Sequence, residues 1–359
     1  MSVRAPMLAG LDGMPHGAAV PGGGRWANGR LLEGRVMADT LVEAIGVSRL
    51  YRANRNRIVR AVDHVDMKVG RGTTLGLVGE SGSGKSTLGR TLVGLQTPSL
   101  GSVAFEGQDV AGASGSRLIR LRQQRQIVFQ DPSGALNPRM TIGDTVVEHL
   151  RVQGWTRADA RSRAQEVFEQ AGLSRQFLPR YPHEISGGQR QRAVIARAIS
   201  TDPAFIVADE PVSALDVSTR AQIMNLLREL QASRGMTMLF ISHDLSVVAH
   251  MCRRVAVMYL GRIVELAPRE MLFRTPLHPY TMALLSAIPL PDPARERTRQ
   301  RIALIGETPD PAAIPSGCRF HTRCLRATDL CRHSDPPMRQ ATSDHGFACH
   351  HPLEHSTTR

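Results

Sequence analysis

The chain of 359 residues contains few aromatic side chains and no long apolar run. Phe, Trp and Tyr make up 4% of the residues, which argues against a platform on which nucleic-acid bases stack. No apolar run approaches the roughly 20 residues that a membrane-spanning helix needs, and the N-terminus lacks the apolar core of a signal peptide. We therefore expect a cytoplasmic protein unless a partner holds it at a membrane.

Lysine is also scarce. It occurs only at Lys68 and Lys85, so arginine carries nearly all of the basic charge behind the formal net charge of +13. Biased codon usage would produce such an excess of arginine without functional meaning. Alternatively, the excess attracts nucleic acid or an anionic bilayer surface. The composition leaves both interpretations open.

The cysteines are few and unevenly distributed. Cys252 stands alone, whereas the other four lie close to the C-terminus. Those four are Cys318, Cys324, Cys331 and Cys349. Because thiols stay reduced in the cytosol, such a cluster suggests a metal site rather than disulfide bonds.

The composition divides the chain into three segments. Residues 1–36 are rich in Gly, Pro and Ala without a period. We expect a disordered leader there, or a start codon assigned too early with Met37 beginning the folded part. Residues 37–275 alternate strand and helix signals, which predicts an α/β fold with a parallel sheet covered by helices. Residues 276–359 are richer in Pro, Arg, His and Cys and are expected to form a C-terminal domain.

Within the middle segment, strand signals stop between about residues 131 and 190. Helical periodicity predicts an inserted helical subdomain there. We predict strands over 42–69, 74–78, 101–110, 126–130, 204–209, 236–242 and 253–266, and helices over 85–95, 141–153, 157–171, 187–199, 219–233 and 245–251. The chain contains no internal repeat and no sustained heptad pattern.

A glycine-rich turn follows the apolar run Thr74–Val78. Residues Gly79–Ser86 read G-x-x-x-x-G-K-S, a loop whose backbone N–H groups curl around phosphate oxygens. Lys85 would reach the terminal phosphates and the Ser86 hydroxyl would ligate Mg²⁺, while the following helix directs its N-terminus at the anion. The alternative is a turn without a ligand, which the strand-loop-helix context disfavours. The predicted phosphate-binding residues are Gly79, Ser81, Gly82, Ser83, Gly84, Lys85, Ser86 and Thr87.

Two carboxylates, Asp209 and Glu210, end a predicted buried strand, where charged groups are costly unless they are used or paired. Asp209 suits a residue that holds Mg²⁺ through a water molecule. Glu210 suits a general base that orients an attacking water, a role worth roughly 10²–10⁴ in rate. The alternative is an ordinary salt-bridged strand end, and the upstream phosphate loop favours the catalytic interpretation.

Two further motifs complete a recognisable set. Residues Ile185–Arg192 read I-S-G-G-Q-R-Q-R, and Ser242–Asp244 follow an apolar strand. This order of motifs resembles the ATPase cassette of ABC transporters and covers roughly residues 42–280. The resemblance implies a P-loop α/β fold with a mixed sheet core, an antiparallel β subdomain, an inserted helical subdomain and a small Cys-containing C-terminal extension. It also implies ATP and Mg²⁺ as ligands and ATP hydrolysis as the reaction.

The resemblance assigns roles to single residues outside the phosphate loop. Gln130 would be the Q-loop residue, which touches Mg²⁺ and senses the membrane subunits. His243 would contact the γ-phosphate or position Glu210, so that Glu210, His243 and Lys85 are the catalytic set. Tyr51 would stack on adenine. The alternatives are a surface glutamine, a structural histidine and a packed strand tyrosine.

The signature motif is expected to act across a dimer. In the ABC family its residues bind the nucleotide held by a second cassette, so that two cassettes enclose two ATP molecules head to tail. The predicted in-trans residues are Ser186, Gly187, Gly188 and Gln189. Ser213–Asp216 resembles the D-loop, which crosses the same interface. The resemblance leaves open whether the second cassette is a copy of this chain or a paralogue.

Two segments restrict the resemblance to a smaller group of ABC transporters. Phe129–Pro132 continues to Leu136–Met140, and Pro276–Thr281 follows the cassette. Together with the cysteine-containing tail they resemble the ATP-binding subunits of oligopeptide/dipeptide permeases, and Tyr259–Arg262 favours the F-type subunit over the D-type. The implied partners are a second ABC ATPase subunit, two transmembrane permease subunits and, indirectly, an extracytoplasmic peptide-binding protein, with no nucleic acid. The implied location is the cytoplasmic face of the inner membrane.

The tail cysteines have the spacing C-x₅-C-x₆-C-x₁₇-C. Members of this permease family can carry an iron–sulfur cluster in this tail, which assigns Cys318, Cys324, Cys331 and Cys349 as ligands of a 4Fe–4S cluster. Four thiolates equally suit Zn²⁺, and free thiols are a third alternative. Leu325 stands where many relatives have Pro.

Other functions remain open on the sequence. Nickel and glutathione importers share the same tail. A soluble ABC-type ATPase acting on ribosomes or DNA is a different class, although those of the translation type usually carry two cassettes and this chain has one. The absence of a long coiled-coil insertion argues against a chromosome-organising ATPase. Glu210 and His243 argue against a nucleotide-binding regulator without turnover.

Overall fold

The computed structural model describes residues 40–54, 57–289 and 301–353 apart from 303 and 305, together with residue 297. The predicted leader over residues 1–36 lies outside the described residues. None of the described helices combines the length and the apolar composition needed to cross a bilayer.

An eight-stranded mixed sheet forms the centre of the molecule, in the order β11-β12-β10-β9-β3-β8-β7-β6. Its strands are β3 (Thr74–Val78), β6 (Arg125–Val128), β7 (Phe205–Asp209), β8 (Thr237–Ser242), β9 (Arg254–Tyr259), β10 (Arg262–Pro268), β11 (Arg339–Thr342) and β12 (His345–Phe347). Strands β3, β6, β7, β8 and β9 run parallel, and β10, β11 and β12 pair antiparallel. Because β3, β7 and β8 are buried along their whole length, they are continuous apolar runs rather than alternating ones.

A second sheet of four antiparallel strands has the order β2-β1-β4-β5. Its strands are β1 (Thr40–Asn54), β2 (Arg57–Gly70), β4 (Leu100–Phe105) and β5 (Gln108–Asp109). The single strand predicted over 101–110 is therefore two strands joined by a tight turn. The reason is that Glu106 and Gly107 both have positive φ, 51° and 74°, as a two-residue hairpin turn requires.

Helices cover the large sheet and form the inserted segment. The helices are α1 (Lys85–Leu92), α2 (Gly115–Gln124), α3 (Pro132–Ala135), α4 (Ile142–Val152), α5 (Arg157–Gln170), α6 (Gly187–Ile199), α7 (Val217–Arg234), α8 (Leu245–Met251), α9 (Arg269–Arg274), α10 (Pro279–Ser286) and α11 (Asp329–His333). Helices α3 to α5 lie where the helical subdomain was predicted, and α6 begins at its end. The mixed sheet, the antiparallel sheet and the helical segment confirm the predicted fold class.

Two apolar cores hold these layers together. One joins the two sheets through α1, whose Leu88 and Leu92 are fully buried between them. The other joins the opposite face of the large sheet to the inserted helices, with Phe168, Ile195 and Phe240 at its centre. The helices inserted between β6 and β7 therefore share one apolar core with the large sheet.

The C-terminal tail extends the large sheet, because β12 pairs with β10. Glu265 on β10 is fully buried at this junction. Its carboxylate accepts hydrogen bonds from the backbone N–H groups of Leu277 and His278 at 2.7 and 3.0 Å, and lies 2.7 Å from Nε2 of His345. A buried carboxylate satisfied by several donors ties the tail to the sheet.

Candidate active site

The phosphate loop connects the end of β3 to the start of α1. Gly84 has a φ of 102°, and a Cβ atom on it would lie 1.9 Å from the carbonyl oxygen of Ala61. Only glycine fits this position, because a side chain would collide with the backbone of β2. From the other side, the N–H of Gly261 in the β9–β10 turn donates to the carbonyl of Ser83 at 2.9 Å. The loop is therefore held by β2 and by the β9–β10 turn.

Lys85 points back into the loop and is 4% exposed. Its Nζ donates to the carbonyl oxygens of Gly79 and Glu80, both at 2.7 Å, and to the Ser83 hydroxyl at 3.3 Å. Burial lowers the pKa of Lys85, and the nearby carboxylates of Glu210, Asp209 and Glu80 oppose that effect. The ammonium group is thus oriented by the backbone that would surround a phosphate.

The start of α1 meets the end of β7, where the Ser86 hydroxyl donates to Oδ1 of Asp209 at 2.8 Å. Asp209 is 1% exposed, and its Oδ2 has no hydrogen-bond partner among the described residues. Burial raises the pKa of this carboxyl group. A hydroxyl beside a buried carboxylate oxygen without a partner is a donor set that suits Mg²⁺, which prefers oxygen ligands and keeps several waters.

Glu210 is brought together with Gln130 and His243. Its Oε2 accepts from Nε2 of Gln130 at 3.1 Å and lies 3.0 Å from Nδ1 of His243. Glu210 has a φ of 47°, an unusual backbone conformation for a residue other than glycine. These residues follow β6, β7 and β8, whose carboxyl ends meet at one edge because the strands are parallel. The Mg²⁺ contact assigned to Gln130 stays a prediction.

The signature motif begins α6 with a reciprocal cap. The Ser186 hydroxyl accepts from the N–H of Gln189 at 3.3 Å, and the Gln189 side chain accepts from the N–H of Ser186 at 2.9 Å. A Cβ atom on Gly188 would lie 2.5 Å from Cγ2 of Thr219, so this glycine lets α6 approach α7 closely. Ser186 is exposed, and Gly187 is half-buried. Their contact with a second nucleotide stays a prediction.

Tyr51 lies on β1 in the antiparallel sheet. Its hydroxyl donates to the side chain of Gln96 at 2.7 Å, and the guanidinium of Arg49 lies 4.9 Å from the ring centroid. One ring face is therefore in a cation–π contact. Stacking of adenine on this ring stays a prediction, as do the individual contacts assigned to Ser81, Gly82 and Thr87.

The four tail cysteines line one cavity, together with Phe320 and several histidines. All four are free thiols; Cys318, Cys331 and Cys349 are buried and Cys324 is partly exposed. Burial, together with the nearby thiols, raises the pKa of Cys318 and of Cys349 to about 11. Within the described part of the chain, no three Cys, His, Asp or Glu side chains are placed to hold a single metal ion.

Sequence reasoning missed the contacts of Glu80, the second residue of the phosphate loop. Arg323, in a short 3-10 turn of the tail (His321–Arg323), pairs with its carboxylate, and Thr308 donates to it at 2.7 Å. Burial opposes ionisation of Glu80, but the hydrogen bonds from Arg323 and Thr308 and nearby positive charge lower its pKa overall. The available signal was the acidic residue itself, since a carboxylate inside a phosphate-binding loop needs a neutralising cation.

Comparison with known proteins places these features in one family. The ABC transporter family matches residues 62–213, and the family "Oligopeptide/dipeptide transporter, C-terminal region" matches residues 264–331. A Brucella ovis protein assigned as a peptide import ATP-binding protein is 50% identical over 315 residues, 87% of this chain and 98% of that protein. The chain belongs to the ATP-binding proteins of ABC oligopeptide and dipeptide transporters. This confirms the family predicted from the motifs, and with it an ABC transporter ATPase.

Two further similarities agree with this membership. The oligopeptide transport ATP-binding protein AppF of Bacillus subtilis is 48% identical over 294 residues, 81% of this chain and 89% of that protein. The dimeric structure of a bacterial ABC transporter cassette superposes with a TM-score of 0.58 at 29% identity, covering 64% of this chain and 99% of the cassette. The structural match supports the ABC cassette fold of this ATPase.

Proposed function

We propose that this ATPase hydrolyses ATP to energise import of di- and oligopeptides across the bacterial cytoplasmic membrane. The observation that carries the proposal is the convergence of Lys85, Asp209, Glu210 and His243 at one edge of the sheet, in a chain whose tail matches the oligopeptide/dipeptide transporter family. The peptide substrate is supported by relatives named for peptide transport.

The chemistry follows from the positions of the side chains. Lys85 and the backbone N–H groups of the loop bind the phosphates, and Glu210 orients the attacking water and accepts its proton. Gln130 and His243 hold the Glu210 carboxylate by the hydrogen bonds described above. Ser86 and Asp209 would hold Mg²⁺, which supplies neutralisation of phosphate charge when it is bound. Catalysis is thus positioning and charge neutralisation on a rigid sheet edge.

Dimerisation completes the site. Ser186 caps α6, and Gly187 and Gly188 lie in its first turn, whose free N–H groups would point at a nucleotide bound to the opposite cassette. Val217, at the start of α7 beside the D-loop, is 81% exposed, which suits a residue that a second cassette covers. The expected complex contains a second ATPase subunit, two transmembrane permeases and, from outside the membrane, a peptide-binding protein. The chain would lie at the cytoplasmic face of the inner membrane.

Affinity purification from detergent-solubilised membranes tests the proposal. We expect this chain to recover two multi-spanning permeases and a second cassette, and the complex reconstituted in vesicles to couple ATP hydrolysis to uptake of a labelled tripeptide. Uptake of nickel or glutathione in place of the peptide would correct the substrate. Recovery of ribosomal or DNA-bound proteins without any membrane protein would overturn the transport function.

We also propose that the four tail cysteines hold a 4Fe–4S cluster. The donor set supports it, because four thiols line one cavity with the apolar ring of Phe320. The alternative occupant is a single Zn²⁺ ion, which four thiolates would also bind, at Zn–S distances of about 2.3 Å. The cluster would link segments of the tail that are distant in sequence, at Cys318, Cys324, Cys331 and Cys349.

The iron and sulfide content of anaerobically purified protein tests this proposal. We expect brown protein with about four iron and four sulfide per chain, and a Cys331→Ser variant with most of that iron lost. Cys252→Ala is the matched control, because Cys252 is a buried thiol that packs beside Gly76 within the cassette. Colourless wild-type protein without iron would show that the tail thiols do not hold the cluster.

A further inference from the structure

Glu80 joins the phosphate loop to the tail through both its side chain and its backbone. Arg323 Nη1 and Nη2 donate to the two carboxylate oxygens of Glu80 at 2.7 and 3.1 Å. Thr308 donates a third hydrogen bond to the carboxylate at 2.7 Å. The backbone N–H of Glu80 donates to the hydroxyl of Tyr280 at 2.8 Å. All three partners lie more than 190 residues away along the chain.

The ion pair between Arg323 and Glu80 differs from an ordinary surface salt bridge. The side chain of Arg323 is 7% exposed and that of Glu80 is 24% exposed, so solvent screens the pair only weakly. The contact is bidentate, which fixes direction as well as distance. Arg323 directly precedes Cys324 and follows Phe320, whose ring packs 5.4 Å from that of Tyr280. The guanidinium is therefore held by a packed part of the tail.

Glu80 also contacts Lys85, through its backbone. The carbonyl oxygen of Glu80 accepts from Nζ of Lys85 at 2.7 Å and from the N–H of Ser83 at 3.2 Å. A shift of Glu80 would therefore displace the lysine and the turn of the loop together. In addition, the carboxylate carries a negative charge beside the place where the loop would bind phosphates, and an opposite charge must cancel it.

We propose that Arg323 is a positioning residue of the nucleotide site: together with Thr308 and Tyr280 it neutralises Glu80 and holds the phosphate loop in the shape that binds ATP. The C-terminal tail is thus a structural part of the ATP site of the cassette. This inference rests on the phosphate loop being the site of ATP, as proposed above.

Equilibrium binding of ATP with Mg²⁺ to the purified full chain tests the inference. We expect Arg323→Gln to weaken ATP binding roughly tenfold or more, and in the intact complex to raise KM for ATP more than it lowers kcat. Adding Glu80→Gln to Arg323→Gln should restore most of the affinity, because the uncompensated charge is then gone. A role in folding alone would lower the unfolding temperature of Arg323→Gln without changing the ATP affinity of the folded protein.

Matched variants make the result decisive. Asp310→Asn removes another ion pair of the tail, with the exposed Arg57 on β2, and should leave ATP affinity unchanged. Tyr280→Phe removes only the hydroxyl that accepts from Glu80 and keeps the ring, so it should fold and bind ATP several-fold more weakly. If Arg323→Gln does not fold, Tyr280→Phe decides the question.

The two possible failures are distinguishable. Wild-type affinity for ATP in folded Arg323→Gln, or in Tyr280→Phe where the arginine variant does not fold, would overturn the positioning role and leave the ATP site intact. An absence of ATP binding by the wild-type chain would instead overturn the ATP site on which the inference rests.

Discussion

Replacing Glu210 by Gln should slow phosphate release by the intact transporter complex at least ~10²-fold while leaving ATP binding in place. The substitution keeps the shape of the side chain but removes the carboxylate that would accept a proton from water. Gln130 and His243 lie within 3.1 Å of Oε2 and still hold the side chain, so the effect should fall on turnover. Phosphate release and ATP binding are measured on the same preparation, which separates an effect on turnover from an effect on binding.

Glu106→Gln is the matched control for this prediction. Glu106 also has a left-handed backbone conformation, with a φ of 51°, but it lies in an exposed hairpin turn and pairs with Arg71. Its replacement should leave the rate of phosphate release unchanged. Equal rates in wild type and Glu210→Gln would show that another group activates the water.

Replacing Lys85 by Met should weaken ATP binding by about 2–4 kcal/mol, or roughly 30- to 1000-fold in Kd. Methionine is apolar and has a similar length, so it fills the space but supplies no positive charge. Lys85 is 4% exposed and three oxygen atoms of the loop direct its ammonium group, so the substitution removes a cation that is held in place. Isothermal titration with ATP and Mg²⁺ measures the loss.

The chain offers one natural control, since Lys68 is the only other lysine. Lys68 is half exposed and pairs with Glu43 at 3.0 Å on the surface of the antiparallel sheet. Lys68→Met removes the same charge far from the loop and should retain wild-type affinity. Retention of affinity by folded Lys85→Met would contradict the assignment of this lysine to phosphate binding.

Much of the fold could be predicted because local signals agree with the tertiary structure. Helices α6 and α8 begin and end at the predicted residues, since a capping serine and a capping aspartate mark their starts. Helix α2 was not predicted. It carries only three apolar side chains, Leu118, Ile119 and Leu121, and none of them is buried, so its helical period in the sequence is short.

The grouping of the residues assigned to catalysis was also predictable, for a topological reason. Gln130, Glu210 and His243 each follow an apolar strand, and parallel neighbouring strands place their carboxyl ends at one edge. The contact of Arg323 with Glu80 could not be predicted in the same way. Nothing in the local sequence of either residue specifies the other, since 243 residues separate them.

The sequence by itself determined the glycine-rich loop, the paired carboxylates, the family and most strands and helices of residues 37–275, because each depends on short motifs and on periodic patterns. Only the tertiary structure decided that the tail extends the central sheet through β12 and that Arg323 neutralises Glu80. These features depend on which distant surfaces become neighbours when apolar side chains are buried. The local sequence of one segment does not specify which distant segment it will contact.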